Sequence, residues 1–204
     1  MTATITTLLP QQKENWFNSD SRFDKLYPLP IRRLGERHWT PLEVAESAAL
    51  FLAAEKGVRI LDIGSGVGKF CLSAAHYKPD ALYYGVEQRK DLVTYAESAK
   101  QILNLSNVSF IHENFTKLDF KQYDHFYFYN SFYENLTGIP KIDESITYSS
   151  DLFNFYNRNL YRQLAKRPSG TRVAGYHSLE VEMPRNYHVV GSDMDGLLKF
   201  WIKE

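Results

Sequence analysis

The sequence predicts an α/β protein in which helices cover both faces of a mostly parallel sheet. Two observations favour this fold. A short apolar run over Val58 to Ile63 leads without a gap into a glycine turn, and apolar residues at helical spacing follow the turn. Further short apolar runs then alternate with helix-period segments along the chain. A length of 204 residues suits one domain of this class.

The glycine turn is the strongest candidate for a ligand site. Gly64, Gly66 and Gly68 follow the first strand directly, and glycine permits both a tight turn and a close approach by another molecule. The next helix begins here, so its free N–H groups point back at the turn and favour a polar or anionic ligand. The spacing departs from the dinucleotide pattern G-x-G-x-x-G, because Lys69 stands where the third glycine is needed. A nicotinamide cofactor is therefore a weaker alternative. A second alternative is that the glycine turn is structural and binds no ligand.

The segment from Asp62 to Gly68, an acidic residue followed by G-x-G-x-G, resembles the first motif of the class I S-adenosylmethionine-dependent methyltransferases. The resemblance extends to about residue 202. It implies a three-layer, Rossmann-like, seven-stranded and mostly parallel sheet, with a C-terminal antiparallel hairpin and an N-terminal helical cap. It also implies that S-adenosylmethionine is the cofactor. The cofactor-binding residues expected in the motif are Asp62, Gly64, Ser65, Gly66 and Gly68.

Composition restricts the class of protein more than it identifies a partner. Lys plus Arg and Asp plus Glu both number 24, so there is no global basic field and nucleic acid is not indicated, although a local basic patch is not excluded. Cys71 is the single cysteine and falls on the inward stripe of its helix, which favours a small buried side chain. No signal peptide or membrane span is visible, and we expect a soluble cytoplasmic protein.

Residues 1–39 show no clean period and are expected to form an N-terminal arm or cap. Their three clustered arginines, at positions 32, 33 and 37, indicate either an exposed polar face or a substrate lid. A helix is predicted to begin at Thr40 to Glu43, with threonine as the cap and Pro41 as the first helical residue. The methyltransferase domain is therefore assigned to residues 40–204.

Two later strands carry further cofactor candidates. The second strand, predicted over Ala81 to Glu87, ends on a carboxylate about 20 residues beyond the glycines, where an acid accepts hydrogen bonds from ribose hydroxyls. A surface glutamate capping the next helix is the alternative for Glu87. After the third strand, the resemblance assigns Asn114 to the adenine amino group and Phe115 to the adenine ring. For Phe115, ordinary core packing is an equal alternative.

The fourth strand, predicted over Tyr123 to Asn130, ends beside the point where strand order reverses, so Asn130 is expected to face the methyl donor. Asn130 to Tyr133 is similar to the N-x-x-aromatic element of methyltransferases that act on nitrogen, without their usual proline. Asn130 and Tyr133 are the predicted catalytic residues, with Asn130 also touching the cofactor. The strings D-I-G-S-G-V-G, Y-G-V-E and N-S-F resemble Dot1-type lysine methyltransferases over these motifs alone. His125 is given no role, and residues 131–148 are a candidate lid.

The function predicted from the sequence is methyl transfer from S-adenosylmethionine, with nitrogen as the expected acceptor atom. The acceptor is an unidentified small molecule or protein amine, and no metal ligand is proposed. Two alternatives are a scaffold that binds the cofactor without turnover and a nicotinamide-dependent oxidoreductase.

Overall fold

The computed structural model describes residues 15–178 and 180–204, and the side chains of residues 36, 37 and 181 lie outside this description. The strands are β1 Arg59–Ile63, β2 Leu82–Glu87, β3 Val108–His112, β4 His125–Tyr129, β5 Arg172–Tyr176, β6 Tyr187–Asp193 and β7 Leu198–Lys203. The helices are α1 Asp20–Phe23, α2 Leu29–Arg32, α3 Gly35–His38, α4 Leu42–Leu52, α5 Lys69–Tyr77, α6 Lys90–Leu103 and α7 Ser150–Ala165.

All seven strands form one sheet in the order β3-β2-β1-β4-β5-β7-β6. The first five strands are parallel, whereas β7 pairs antiparallel with both β5 and β6. Strand order reverses between β1 and β4, where Ile63 lies opposite Phe128. The predicted fold class and the C-terminal hairpin are confirmed. The carboxyl ends of β1 and β4 are thereby brought side by side, which is where open parallel sheets bind ligands.

The sheet separates two apolar cores. Tyr127 of β4 packs into the core that α4 and α5 share, while its neighbours Phe126 and Phe128 face the core below α7. Phe70 of α5 stacks on the Tyr127 ring with centroids 3.8 Å apart. This alternation follows from the two-residue period of a strand and makes β4 buried on both sides.

The start of α4 differs from the expected capping arrangement. Pro41 occupies the cap position, no side chain caps the helix, and Thr40 lies one residue outside it. The Thr40 hydroxyl instead shares a hydrogen bond of 3.0 Å with the hydroxyl of Tyr127, which is fully buried. A buried phenol requires a polar partner. Thr40 provides that partner for Tyr127 and therefore does not cap α4.

The N-terminal segment forms the short helices α1 to α3 before α4 begins. Residues 1–14 of the predicted arm lie outside the described residues, and the boundary at residue 39 stays a prediction. No helix within the described ranges is both long and apolar enough to cross a membrane.

Candidate functional site

The glycine turn lies at the carboxyl end of β1 and is fixed by β2. The N–H groups of Gly64 and Ser65 both donate to the carbonyl of Val86, at 2.9 and 3.0 Å. Gly66 adopts φ +54°, and no atom lies within 4 Å of the place where a Cβ would stand. The backbone of Gly66 is therefore open to close approach by a ligand.

Gly68 has a different task from Gly66. It precedes the first residue of α5 with φ +83°, and a Cβ here would lie 2.3 Å from the ring of Phe110 on β3. The third glycine of the motif thus permits close packing of the helix start against the sheet. The two glycines therefore differ: open space lies beside Gly66, whereas Gly68 is packed against the sheet.

Glu87, the predicted ribose ligand, reaches this turn from the end of β2. Its side chain is 6% exposed, and one carboxylate oxygen accepts from the N–H of Gly66 at 3.1 Å while the other accepts from the N–H of Arg89 at 2.9 Å. Burial raises the pKa of Glu87, against the lowering effect of these N–H groups and of the Arg89 guanidinium. The structure therefore places a buried carboxylate against the glycine turn, and the ribose role of Glu87 stays a prediction.

Arg89 is a buried residue of the site that the sequence reasoning missed. Its guanidinium donates to Glu134 at 2.7 Å, to the Tyr148 hydroxyl at 2.7 Å and to Asp143 at 3.3 Å. All three partners belong to the segment 131–148, which we call the β4–α7 loop. The sequence signal that could have identified Arg89 is a basic residue two positions after Glu87, the acid that ends β2. Arg89 ties the loop to the strand end that carries Glu87.

The β4–α7 loop closes a small cavity over Glu87. This nucleoside cavity has a volume of about 30 Å³, and its walls include Gly64, Glu87, Phe115, Ser131 and Ile146. Pockets for small ligands usually measure about 300–1,000 Å³. The cavity is therefore smaller than a nucleoside while the loop has this position.

Asn114 and Phe115 lie beside the nucleoside cavity in different environments. The Asn114 side-chain oxygen accepts from both the N–H and the hydroxyl of Thr116, at 3.0 and 2.8 Å, so both of its lone pairs are engaged. Its adenine role stays a prediction and requires one of these bonds to be exchanged. Phe115 is buried and stacks on Phe132 with centroids 5.1 Å apart, which satisfies core packing and also places the ring in the cavity wall.

Asn130, the predicted catalytic residue, ends β4 in a strained conformation. Its φ is +44°, which is uncommon for a side chain other than glycine. Its side-chain oxygen is buried and has no hydrogen-bond partner among the described residues. The next residue, Ser131, donates to the carbonyl of Ile63, so Asn130 is held beside the glycine turn. A buried acceptor without a partner is suited to an incoming N–H donor.

Tyr133, the second predicted catalytic residue, faces elsewhere. Its hydroxyl donates to Glu182 at 3.4 Å, and its ring lies perpendicular to Phe153 of α7. It lines a separate cavity against α7 and is absent from the walls of both small cavities at the glycine turn. The structure thus does not bring Tyr133 together with the turn.

The N-terminal helices are bonded to the glycine turn. The Tyr27 hydroxyl donates to the carbonyl of Val67 at 3.0 Å. Lys69, which is 4% exposed, forms ion pairs with Asp20 at 2.6 Å and with Asp24 at 2.7 Å. Lys69 therefore anchors the cap, and this explains a charged residue in the place where the dinucleotide motif has glycine.

Asp62 lies below the cap in a second small cavity of about 20 Å³, whose walls include Trp39, Ser65, Phe70 and Tyr129. Its carboxyl accepts a weak hydrogen bond from the Cys71 thiol at 3.6 Å. Burial raises the pKa of Asp62 to about 8. Cys71 is fully buried, as expected. A buried carboxyl with so little support is typical of a functional position.

Aromatic side chains that the sequence reasoning did not single out gather where β4 and β5 end. Tyr129 lies 4.8 Å from Tyr176 and 5.7 Å from His177 between ring centroids. His177 adopts φ +56°, and burial lowers its pKa, which favours a neutral imidazole. His125, in contrast, accepts from the N–H of Arg172 within the sheet and has a structural role.

Comparison with known proteins agrees with the fold and the turn. Residues 54–152 match the family model described as a methyltransferase domain. A release factor glutamine methyltransferase of Buchnera aphidicola subsp. Baizongia pistaciae (strain Bp) is 32% identical over 77 residues, which are 37% of this chain and 28% of the relative. A tRNA (guanine-N(7)-)-methyltransferase of Synechococcus sp. (strain JA-3-3Ab) is 46% identical over 54 residues, which are 26% of this chain and 23% of the relative. The chain thus spans less than a third of either relative's length.

Among solved structures, an RNA methyltransferase of Salinibacter ruber in complex with S-adenosyl-L-homocysteine superposes with a TM-score of 0.54. It is 19% identical, and the superposition covers 81% of this chain and 93% of that one, which supports the common fold. The glycine turn and residues 54–152 are thus similar to a methyltransferase domain, and the fold agrees with the class I type, whose cofactor is S-adenosylmethionine. The nicotinamide alternative is set aside by the family match. The narrower likeness to Dot1-type enzymes stays a prediction.

Proposed function

We propose that this chain transfers a methyl group from S-adenosylmethionine to a nitrogen atom, with Asn130 orienting that nitrogen. The observation that carries the proposal is the buried, unpartnered side-chain oxygen of Asn130 at the end of β4. Leaving a buried acceptor unsatisfied costs about 1–3 kcal/mol, and the positive φ adds strain at the same residue. Such a combination persists where function requires it. The Synechococcus relative reported above is named for transfer to the N(7) position of guanine.

Several residues fit the cofactor. Gly66 offers open backbone, Glu87 offers a carboxylate for the ribose hydroxyls, and Phe115 offers a ring face in the nucleoside cavity. Asp62, Gly64 and Ser65 line the cavity below the cap. Gly68 acts indirectly, since it lets α5 begin close to the sheet. We propose these residues as the cofactor site.

When bound, the cofactor supplies a methyl group already activated by its sulfonium charge. The chain then has to align the acceptor and exclude water. Asn130 accepts a hydrogen bond from the acceptor N–H, which turns the nitrogen lone pair towards the transfer line. The cap and the β4–α7 loop cover the site from two sides and exclude water. A strong general base is unnecessary if the nitrogen arrives neutral.

The proposal is tested in two stages on the purified chain. Isothermal calorimetry with S-adenosylhomocysteine and with NAD should give binding for the former, and at 100 times its Kd the ligand should stabilise the fold by about 2.7 kcal/mol. Transfer of labelled methyl from S-adenosylmethionine to cellular RNA and protein fractions should then give labelled product whose methyl is bonded to nitrogen. Cofactor binding without any labelled product would favour the scaffold alternative. A product whose labelled methyl group is bonded to oxygen would refute transfer to nitrogen.

A further inference from the structure

A groove runs along the outer side of α7 beside the candidate site. It consists of two cavities, of about 610 and 630 Å³, that share Tyr161 as a common wall. One cavity reaches Tyr133 at the end of β4, and the other reaches His188 on the edge strand β6. We call this surface the α7 groove. Each cavity is within the size range of small-ligand pockets.

The α7 groove presents aromatic faces. Tyr133 and Phe153 stand at 87° to one another with ring centroids 5.7 Å apart, and both line the first cavity. Tyr161 lies between the cavities and is 38% exposed, which is high for a large aromatic side chain. Exposed aromatic rings along a groove provide surfaces on which successive nucleobases stack.

The groove also carries positive charge that the fold does not use. Arg158 and Arg162 line the first cavity, are exposed, and make no side-chain hydrogen bond or ion pair with residues 15–178 and 180–204. Glu182 lines the same cavity and accepts from the Tyr133 hydroxyl, while Glu180 pairs with Lys199 at 2.9 Å, so the first cavity holds two arginines and one carboxylate. Two like charges four residues apart destabilise a helix, so this pair has no stabilising role in α7. The excess positive charge is complementary to phosphate.

The α7 groove begins at Tyr133, three residues after Asn130 in the chain. The N–H of Tyr133 donates to the carbonyl of Asn130 at 3.1 Å, so the turn that ends β4 carries both the orienting amide and the first aromatic wall. A chain bound along α7 would reach the end of β4 at this turn.

We propose that the α7 groove binds a single-stranded segment of nucleic acid and that the acceptor nitrogen belongs to one of its bases. This inference rests on the proposed methyl transfer, because it names the class of acceptor. Phosphates contact Arg158 and Arg162, and a base stacks on Tyr161.

Fluorescence anisotropy of the full chain with labelled single strands of about 12 nucleotides tests the groove. RNA and DNA strands, a duplex of the same sequence and an acidic peptide serve as probes. The single strands should bind more tightly than the duplex and the peptide. Arg158→Gln combined with Arg162→Gln should weaken binding about tenfold or more. The slope of log K against log salt concentration should fall by about 1.4, because each of the two lost phosphate contacts contributes about 0.7. Tyr161→Ala should weaken binding about tenfold without changing that slope.

Matched controls lie on α7 and at its C-terminal cap. Lys166→Gln and Phe155→Ala remove an exposed cation and an exposed ring that line neither cavity, and they should leave binding unchanged. No binding, binding insensitive to the groove variants, or preference for the duplex or the acidic peptide overturns the inference. Calorimetry with S-adenosylhomocysteine on the same preparation separates the two proposals. If the chain binds the cofactor but no nucleic acid, the proposed function is retained and the groove proposal is rejected. If it binds nucleic acid but no cofactor, the groove is retained as a binding site and the proposed function is rejected.

Discussion

Arg89 and Glu134 form a buried ion pair of 2.7 Å that joins the end of β2 to the β4–α7 loop. The residue that holds the loop thus lies two positions from the proposed ribose ligand, Glu87. Because the nucleoside cavity is too small for a nucleoside while this contact is closed, cofactor binding and loop opening are expected to be coupled.

Tyr148→Phe tests this coupling without touching Glu87. The substitution removes a hydroxyl that bonds both the Arg89 guanidinium and the carbonyl of Asp143, at 2.7 Å each. Losing about 1 kcal/mol from the closed loop should speed S-adenosylhomocysteine association about fivefold. Stopped-flow fluorescence of Trp39, which lines the adjacent cavity, provides the measurement. An unchanged association rate would show that the loop does not limit access to the site.

Asn130→Gly should separate catalysis from stability. Glycine adopts φ +44° without strain and removes the unpartnered oxygen, so the variant should be at least as stable as the parent. The single-turnover rate should fall about ten- to a hundredfold, from the loss of about 1.5–3 kcal/mol at the transition state, while cofactor affinity changes little.

Asn130→Ala is the companion variant, because it should lose the rate equally and be about 1 kcal/mol less stable than the glycine variant, since alanine keeps a Cβ at positive φ. Thermal denaturation, calorimetry and single-turnover assays on both variants give the comparison. A glycine variant with the full rate would remove Asn130 from the mechanism.

Gly66→Ala and Gly68→Ala should fail in different ways. Both residues have positive φ, so each substitution costs about 1–2 kcal/mol in backbone strain. At position 66 the methyl group enters open space, so the fold should survive and S-adenosylhomocysteine affinity should drop at least about tenfold. At position 68 the methyl group would meet Phe110, and the loss of stability should be clearly larger. Calorimetry after a thermal scan decides between them, and equal affinity of the Gly66→Ala variant and the parent would limit that glycine to a packing role.

Asp62→Asn should make stability less dependent on pH. The folded-state pKa of about 8 lies above the ordinary value of about 3.9, so between these values the folded protein holds a proton that the unfolded chain releases. The stability of the parent therefore falls as pH rises through this window and stops falling above about pH 8. The variant should gain on the parent by about 1.4 kcal/mol per pH unit from pH 5 to pH 8.

Urea denaturation at several pH values measures this gap, which is the difference in free energy of unfolding between the Asp62→Asn variant and the parent. Asp151→Asn, at an exposed position, is the control. A gap that stays constant with pH would show that Asp62 is ionised in the folded protein at neutral pH.

The sequence by itself determined the order of strands and helices, because the apolar runs, Pro79 and the glycines are local signals. The predicted strand and helix ends fall within about two residues of those observed in most elements. The candidate turn and the acid at the end of β2 also followed from spacing along the chain.

The tertiary structure decided which side chains share a space. Tyr133 is three residues from Asn130 yet faces α7, and Thr40 leaves its expected cap to bond Tyr127, 87 residues away. Arg89 and Trp39 acquire their significance through partners that are remote in sequence. Periodicity reports which face of an element is buried, whereas hydrogen bonds and charge pairs between distant segments depend on how the elements pack in three dimensions.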